Sequence, residues 1–132
     1  MNRYEAIVPG RWSDKLTFSP AIHVGNLLFI SGTTATDENL RIVGIGDIAE
    51  QTRQIFRKWA PILQAAGAGF DNIVETTDYY VTLEGYARTA DVRREFFRHP
   101  YPAATGVQVA GLIRPEALIE IKGIAVLDSV RG

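Results

Sequence analysis

Residues 47–82 read DIAEQTRQIFRKWAPILQAAGAGFDNIVETTDYYVT and join a helix pattern to a strand pattern. Asp47 is a suitable N-terminal cap with Glu50 as its capping-box partner, and Gly67 is a suitable C-terminal stop. Between them, apolar positions recur every three or four residues and form one stripe: Ile48, Thr52, Ile55, Trp59, Ile62 and Ala66. The β-branched and aromatic run that follows predicts a strand over residues 73–82.

The rest of the chain predicts further strands and a second helix around this unit. Gly25-Asn26 separates two β-prone runs and is typical of a hairpin turn. The remaining predicted elements are strands at 22–24 and 27–31, a helix at 84–97, and strands at 107–112 and 118–127, with a turn at Arg114-Pro115-Glu116. Residues 1–15, which contain Pro9 and Gly10, are predicted to be irregular.

The resulting order, β-β-α-β-α-β-β, indicates an α+β fold in which a mixed sheet carries both helices on one face. We predict a single domain over residues 1–132, because no linker or internal repeat interrupts the pattern. The second face of the sheet would carry apolar residues without a helix to cover them. This favours an oligomer.

Composition excludes several classes of protein. The chain has 132 residues, of which 46% are hydrophobic and 22% charged, as in an ordinary globular domain. Fourteen basic and 15 acidic residues give a net charge of −1 without a basic cluster, which argues against nucleic-acid binding. No apolar run is long enough to span a membrane, and the N-terminus lacks the apolar core of a signal peptide. The absence of cysteine excludes thiolate chemistry. Because no signal peptide is recognisable, we expect a cytoplasmic protein.

Glu120 is the strongest catalytic candidate. It lies in the strand segment Ala-Leu-Ile-Glu-Ile, where a carboxylate among apolar neighbours suits general acid–base chemistry. The alternative is a solvent-facing charge that shares a strand face with Lys122. Asp78, between Thr77 and Tyr79, has the same two interpretations.

Two segments of small residues could let a ligand approach the backbone. Ser31-Gly32-Thr33 could present N–H groups and hydroxyls to a ligand, or could be an ordinary strand-end turn. Residues 103–106, Ala-Ala-Thr-Gly, could admit a ligand or another backbone.

No metal or nucleotide motif is recognisable. His23 and His99 are the only histidines, and each is interpreted as a surface or capping residue. The segment Gly44-Ile45-Gly46 lacks the third glycine of a dinucleotide-binding loop, and no Asp/Glu spacing matches a cation loop. We therefore expect no metal and no cofactor.

Four segments within residues 17–127 form a specific combination: FSPAIHVGNLLFISG, DIAEQTRQIFRKWAPILQAAGAGFDNIVETTDYYV, REFF and VQVAGLIRPEALIEIKGIAV. Together they resemble the RidA (YjgF) family of reactive-intermediate deaminases, also named endoribonuclease L-PSP. The resemblance implies a chorismate-mutase-like α+β fold. It also implies a homotrimer whose sheets form a central barrel, with the helices outside and ligand clefts between neighbouring subunits.

The resemblance further implies hydrolysis of imines and enamines, in which a glutamate acts on water and an arginine binds the substrate carboxylate. The family's glutamate matches Glu120, whereas its arginine position is occupied by Ala104 and a first-strand tyrosine by Phe18. The positions expected to bind substrate are Phe18, Ser31, Gly32, Thr33, Ala104, Thr105, Gly106 and Arg114.

Our first hypothesis is a divergent hydrolase of a small metabolite, in which Glu120 activates water at an imine, enamine or related C–N bond. Its substrate would be less anionic than usual, or its anion would be held by backbone N–H groups near Gly32 and Thr105. Arg114, on a turn one residue longer than usual, either reaches the ligand or is an exposed turn residue. The alternative is a non-catalytic trimer that binds a small molecule or regulates. Ribonuclease activity, implied by the family's older name, is disfavoured because no basic surface or histidine pair is visible.

Overall fold

The computed structural model describes residues 3–128 and contains one six-stranded sheet with two α-helices. The strands are β1 (Tyr4–Ile7), β2 (Ala21–Val24), β3 (Leu27–Thr33), β4 (Ile73–Tyr80), β5 (Ala103–Gln108) and β6 (Ile119–Val126). The helices are α1 (Ile48–Ala65) and α2 (Thr89–Phe96). The strand order across the sheet is β1-β2-β3-β6-β4-β5. Of the strand pairs within residues 3–128, only β4 and β5 are parallel, so the predicted mixed sheet is confirmed.

Helix α1 confirms the central sequence pattern. The Asp47 side chain accepts hydrogen bonds from the N–H groups of Ala49 and Glu50. The Glu50 carboxylate, however, bonds to Arg53 instead of returning to the cap, so the reciprocal capping box does not form. Every member of the predicted apolar stripe is buried except Ala66, which is partly buried.

Both helices cover the same face of the sheet. Ile119 and Ile121 of β6 are fully buried there, in one cluster with Phe56 and Trp59 of α1 and Val92 of α2. Side chains alternate along a strand, so Glu120 and Lys122 lie on the opposite, uncovered face. The site described below lies on that face.

Three predicted boundaries were wrong. The segment 1–15 is not wholly irregular, because Tyr4–Ile7 form β1 and pair antiparallel with β2. Helix α2 begins at Thr89, after a 3₁₀ turn at Tyr86–Arg88, and not at residue 84. Strand β5 occupies Ala103–Gln108 instead of 107–112, so the small residues expected before the strand form most of it. Residues 1–2 and 129–132 of the predicted domain lie outside the described residues.

Candidate functional site

An open cleft of about 430 Å³ lies on the uncovered face, where β3, β6 and β4 are neighbours. This volume falls in the range of small-molecule sites. The lining residues are Gly32, Tyr79, Val109, Gly111, Leu112, Ile113, Glu120 and Lys122. Tyr79 and Glu120 are direct partners across β4 and β6, so the sheet register places both in the cleft.

The carboxylate of Glu120 lies against the backbone of Gly32. The β3–β6 register shifts between Ile30 and Thr33, so Ser31 and Gly32 together oppose Lys122 in a β-bulge. A Cβ atom on Gly32 would lie 2.6 Å from Oε2 of Glu120, closer than non-bonded atoms approach. The carboxylate therefore occupies space that only glycine leaves free at this position.

Lys58 of α1 is a charged neighbour of the cleft that the sequence analysis missed. Its ammonium donates hydrogen bonds to Thr33 Oγ1 at 2.5 Å, to the Thr34 carbonyl at 2.9 Å and to Thr36 Oγ1 at 2.7 Å. Burial lowers the pKa of Lys58 to about 8, and the charge of Arg114 acts in the same direction. Glu120 opposes this shift, so Lys58 lies within electrostatic range of both residues.

Ser31, Thr33 and Phe18 have roles that sequence analysis did not foresee. Thr33 accepts the Lys58 hydrogen bond just described, and the Ser31 hydroxyl donates to the Ser19 carbonyl at 2.6 Å. Phe18 is half exposed and packs edge-on against Trp12, with ring centroids 5.4 Å apart. None of these three side chains lines the cleft in the described protomer.

Ala104, Thr105 and Gly106 lie apart from Glu120 within one protomer. They belong to β5, the edge strand, and β4 separates that strand from β6. Strands are about 4.8 Å apart, so β5 lies roughly 10 Å from β6. All six β5 residues are exposed. The protomer thus brings Gly32 and Glu120 together with Leu112 and Ile113, which directly precede Arg114, and places the β5 residues at the edge of the sheet.

Asp78 belongs to a separate, buried polar cluster beneath α2. Its carboxylate accepts a hydrogen bond from the Tyr86 hydroxyl at 3.0 Å and lies 3.8 Å from Nη1 of Arg93. Burial raises the pKa of Asp78, whereas Arg93 and Tyr86 act to lower it. Arg93 also donates to Thr76 Oγ1, which ties α2 to β4. These contacts favour the structural interpretation of Asp78.

Within residues 3–128, no three His, Asp or Glu side chains are grouped so that they could hold a metal ion. His23 bonds to the Gly25 carbonyl through Nε2, at 2.8 Å, in its own hairpin. In the same part of the chain, neither helix has the length and apolar character needed to cross a membrane.

The sequence of the chain is similar to those of known proteins of comparable length. The family model Endoribonuclease L-PSP matches residues 13–127. The 3-aminoacrylate deaminase RutC of Acinetobacter baylyi is 34% identical over 108 residues, 82% of this chain and 85% of that protein. The 2-iminobutanoate/2-iminopropanoate deaminase of Dermatophagoides farinae is 29% identical over 111 residues, 84% of this chain and 86% of that protein.

A solved structure shares the whole architecture. YyfA from Yersinia pestis, of the conserved Rid protein family, matches with a TM-score of 0.82 and 28% sequence identity, over 94% of this chain and 99% of that one. The mixed sheet with two helices is thus common to both chains. This agreement confirms the chorismate-mutase-like fold expected from the sequence.

Proposed function

The chain belongs to the endoribonuclease L-PSP (RidA/YjgF) family, and from that premise we propose that it hydrolyses a C–N bond of a small imine or enamine. In this proposal Glu120 activates the water. The observation that carries the proposal is the Glu120 carboxylate, packed on the bare Cα of Gly32 in the wall of the cleft. Two deaminase relatives support the reaction class.

The chemistry needs one water and one group that moves protons. Glu120 takes a proton from water as the oxygen bonds to the imine carbon, while the electron pair of the C=N bond moves to nitrogen. The protonated carboxyl then returns that proton to nitrogen. This gives a neutral carbinolamine. Glu120, ionised again, takes the proton of the new hydroxyl group and passes it to the amine as the C–N bond breaks, so that ammonia leaves and a carbonyl compound remains. An enamine enters the same sequence after protonation at carbon and loss of one N–H proton convert it to its imine.

We further propose that the working molecule is a homotrimer, because within one protomer the expected site residues of β5 lie away from Glu120. The uncovered face carries Phe29, 41% exposed, next to its cross-strand partners Ile22 and Ile124. Strand β5 exposes all six of its residues. Packing these faces between copies would bury them and would place Ala104, Thr105 and Gly106 of one copy beside the Glu120 cleft of another. The cytoplasmic location and the absence of nucleic-acid partners stay predictions.

Ammonia release from freshly generated 2-iminopropionate and from a set of enamines tests the reaction. We expect the wild-type protein to release ammonia and the Glu120→Gln variant to release none, because an amide cannot accept the proton from water. Glu38→Gln is the matched control, since Glu38 is an exposed carboxylate outside the cleft lining and its loss should leave the rate unchanged. Unchanged hydrolysis by Glu120→Gln of every substrate that the wild type accepts would refute this mechanism.

Ala104→Arg separates a lost activity from an altered specificity. If the cleft is an intact deaminase site, an arginine at position 104, where the family has one, should raise activity on imino acids. Adding Glu120→Gln should remove that gain. If neither the wild type nor Ala104→Arg turns over any substrate, the non-catalytic binding trimer becomes the better account.

A further inference from the structure

The cleft has an excess of positive charge around its one carboxylate. Glu120 and Lys122 are the charged lining residues, and Lys58 lies within electrostatic range of both Glu120 and Arg114. A cleft that gathers charge of one sign attracts ligands of the other sign. The charges in this cleft therefore favour an anionic ligand.

Lys58 cannot bind that ligand directly. An ammonium has three N–H donors, and those of Lys58 are directed at Thr33 Oγ1, the Thr34 carbonyl and Thr36 Oγ1. Lys58 thus contributes a fixed charge within electrostatic range of Glu120 and leaves the contact with the ligand to another residue.

Arg114 is placed and equipped for this contact. It directly follows Leu112 and Ile113, which line the cleft. It forms no salt bridge with any residue of the described range 3–128. Among the described residues, its guanidinium forms one hydrogen bond, from Nη1 to the Leu40 carbonyl at 3.2 Å, which leaves its other donors for a ligand.

The carbonyl that holds Arg114 belongs to a tightly built turn. Leu40 has φ of 62°, a left-handed conformation that is unfavourable for a branched side chain. The Asp37 carboxylate stabilises it by accepting hydrogen bonds from the N–H groups of Asn39, at 2.8 Å, and Arg41, at 3.0 Å. This turn fixes one side of the guanidinium.

The other side of the Arg114 turn is fixed by Gln51 of α1, which is completely buried. Its amide donates to the Glu116 carbonyl at 3.1 Å and accepts from the N–H group of Leu118 at 2.8 Å. The Arg114 backbone is thus positioned by α1 and its side chain by the 37–41 turn. Such preorganisation is what a binding residue requires.

We propose that Arg114 binds a carboxylate of the substrate, with Lys58 and Lys122 as supporting charges at the same cleft. This inference rests on the proposed function, because it names the charge of the substrate on which Glu120 would act. It makes Arg114 a specificity-determining residue, and it replaces both alternatives expected from the sequence: a less anionic substrate, or an anion held by backbone N–H groups.

Steady-state kinetics with 2-iminopropionate and with the imine of pyruvamide, its uncharged counterpart, test the role. We expect Arg114→Gln to raise KM for the anion roughly tenfold to a hundredfold while kcat changes little, because the contact exists before and during reaction. KM for the neutral imine should stay constant. Arg94→Gln, which removes an equal charge from an exposed arginine of α2, on the face of the sheet opposite the cleft, should leave both values unchanged.

Binding of pyruvate, measured by isothermal titration calorimetry, gives a readout that does not need turnover. We expect the wild-type protein and Glu120→Gln to bind pyruvate, and Arg114→Gln to lose roughly tenfold or more in affinity. Pyruvate binding without any turnover would overturn the proposed function and leave the role of Arg114 supported. An unchanged KM and unchanged pyruvate affinity in Arg114→Gln, or no pyruvate binding by the wild type, would overturn the inference.

Discussion

At the scale of single residues, the backbone of Gly32 lies directly against the carboxylate of Glu120, the proposed catalytic group. A methyl group there would collide with Oε2 of Glu120 at 2.6 Å. We expect Gly32→Ala to displace the carboxylate and lower kcat/KM by about two orders of magnitude, as misplacement of a catalytic group by about 1 Å does. The free energy of unfolding should fall by only about 1–3 kcal/mol, the usual cost of overpacking.

Gly10→Ala is the control for this prediction, because nothing lies within 4 Å of a Cβ atom built at Gly10. Rates would be compared at saturating and limiting substrate, and stability by urea unfolding. Full activity in a folded Gly32→Ala protein would show that the position of the Glu120 carboxylate against Gly32 is irrelevant to turnover.

Lys58 makes stability depend on pH in a defined direction. The pKa of Lys58 is about 8 in the folded state against 10.5 ordinarily, so the unfolded chain binds more protons between these values. The free energy of unfolding should therefore rise as pH increases from about 8 to 10.5. We expect the difference between wild type and Lys58→Met, from urea unfolding at fixed protein concentration, to rise over this window. Parallel curves for the two proteins would contradict the lowered pKa.

The sequence predicted Glu120 and Gly32 as site residues but did not predict Lys58. In the pattern of α1, Lys58 is one of several charged residues outside the apolar stripe, and such residues normally face solvent. Only the tertiary approach of the 33–36 segment reveals its three oxygen partners. A local sequence pattern shows which chemical group a residue carries, but it does not show which distant residues contact that group.

At the scale of secondary structure, the strands that the sequence missed owe their conformation to pairing. β1 has three exposed residues out of four and gains its backbone partners from β2. β5 contains Ala103, Ala104 and Gly106, which have low β propensity, and is extended because it pairs with β4. By contrast, α1 and the Gly25-Asn26 hairpin follow local signals and were predicted well, with Gly25 at φ of 58° in the turn.

Helix α2 is held on the sheet by a buried ion pair, and this gives a prediction at the same scale. Arg93→Met would leave the Asp78 carboxylate buried with only the Tyr86 hydroxyl as partner. We expect unfolding free energy to drop by about 3–5 kcal/mol, the usual cost of an uncompensated buried charge. Adding Asp78→Asn should recover much of that loss, because the amide is neutral and can still accept from Tyr86.

The pH dependence of the Arg93→Met variant offers a second check. The pKa of Asp78 is already raised by burial, and losing Arg93 should raise it further. Stability carried by such a group is present at low pH and is lost as pH rises through its folded-state pKa. The free energy of unfolding of Arg93→Met, measured with urea, should therefore increase on acidification relative to that of Arg93→Met/Asp78→Asn. Equal pH profiles of the two variants would argue against a strained, ionised Asp78.

At the scale of the whole molecule, the two faces of the sheet have different partners. One face is closed by α1 and α2, while the other carries the cleft and the apolar residues Ile22, Phe29 and Ile124. Helix count and order predict that one face stays uncovered. Which residues meet there follows from the register, including the bulge at Ser31 and Gly32, and no local pattern fixes such a register shift.

A substitution on the uncovered face of the sheet tests the proposed trimer most directly. Phe29→Glu places a charge among apolar partners of the neighbouring copies but in a position that water reaches in a single protomer, since Phe29 is 41% exposed. We expect a folded species of 14.6 kDa in analytical ultracentrifugation, where the wild type sediments at three times that mass. Leu83→Glu, which replaces a 62% exposed side chain in the loop after β4, should remain trimeric. A wild-type monomer at micromolar concentration would refute the trimer. A trimeric Phe29→Glu would place the contact elsewhere on the protomer.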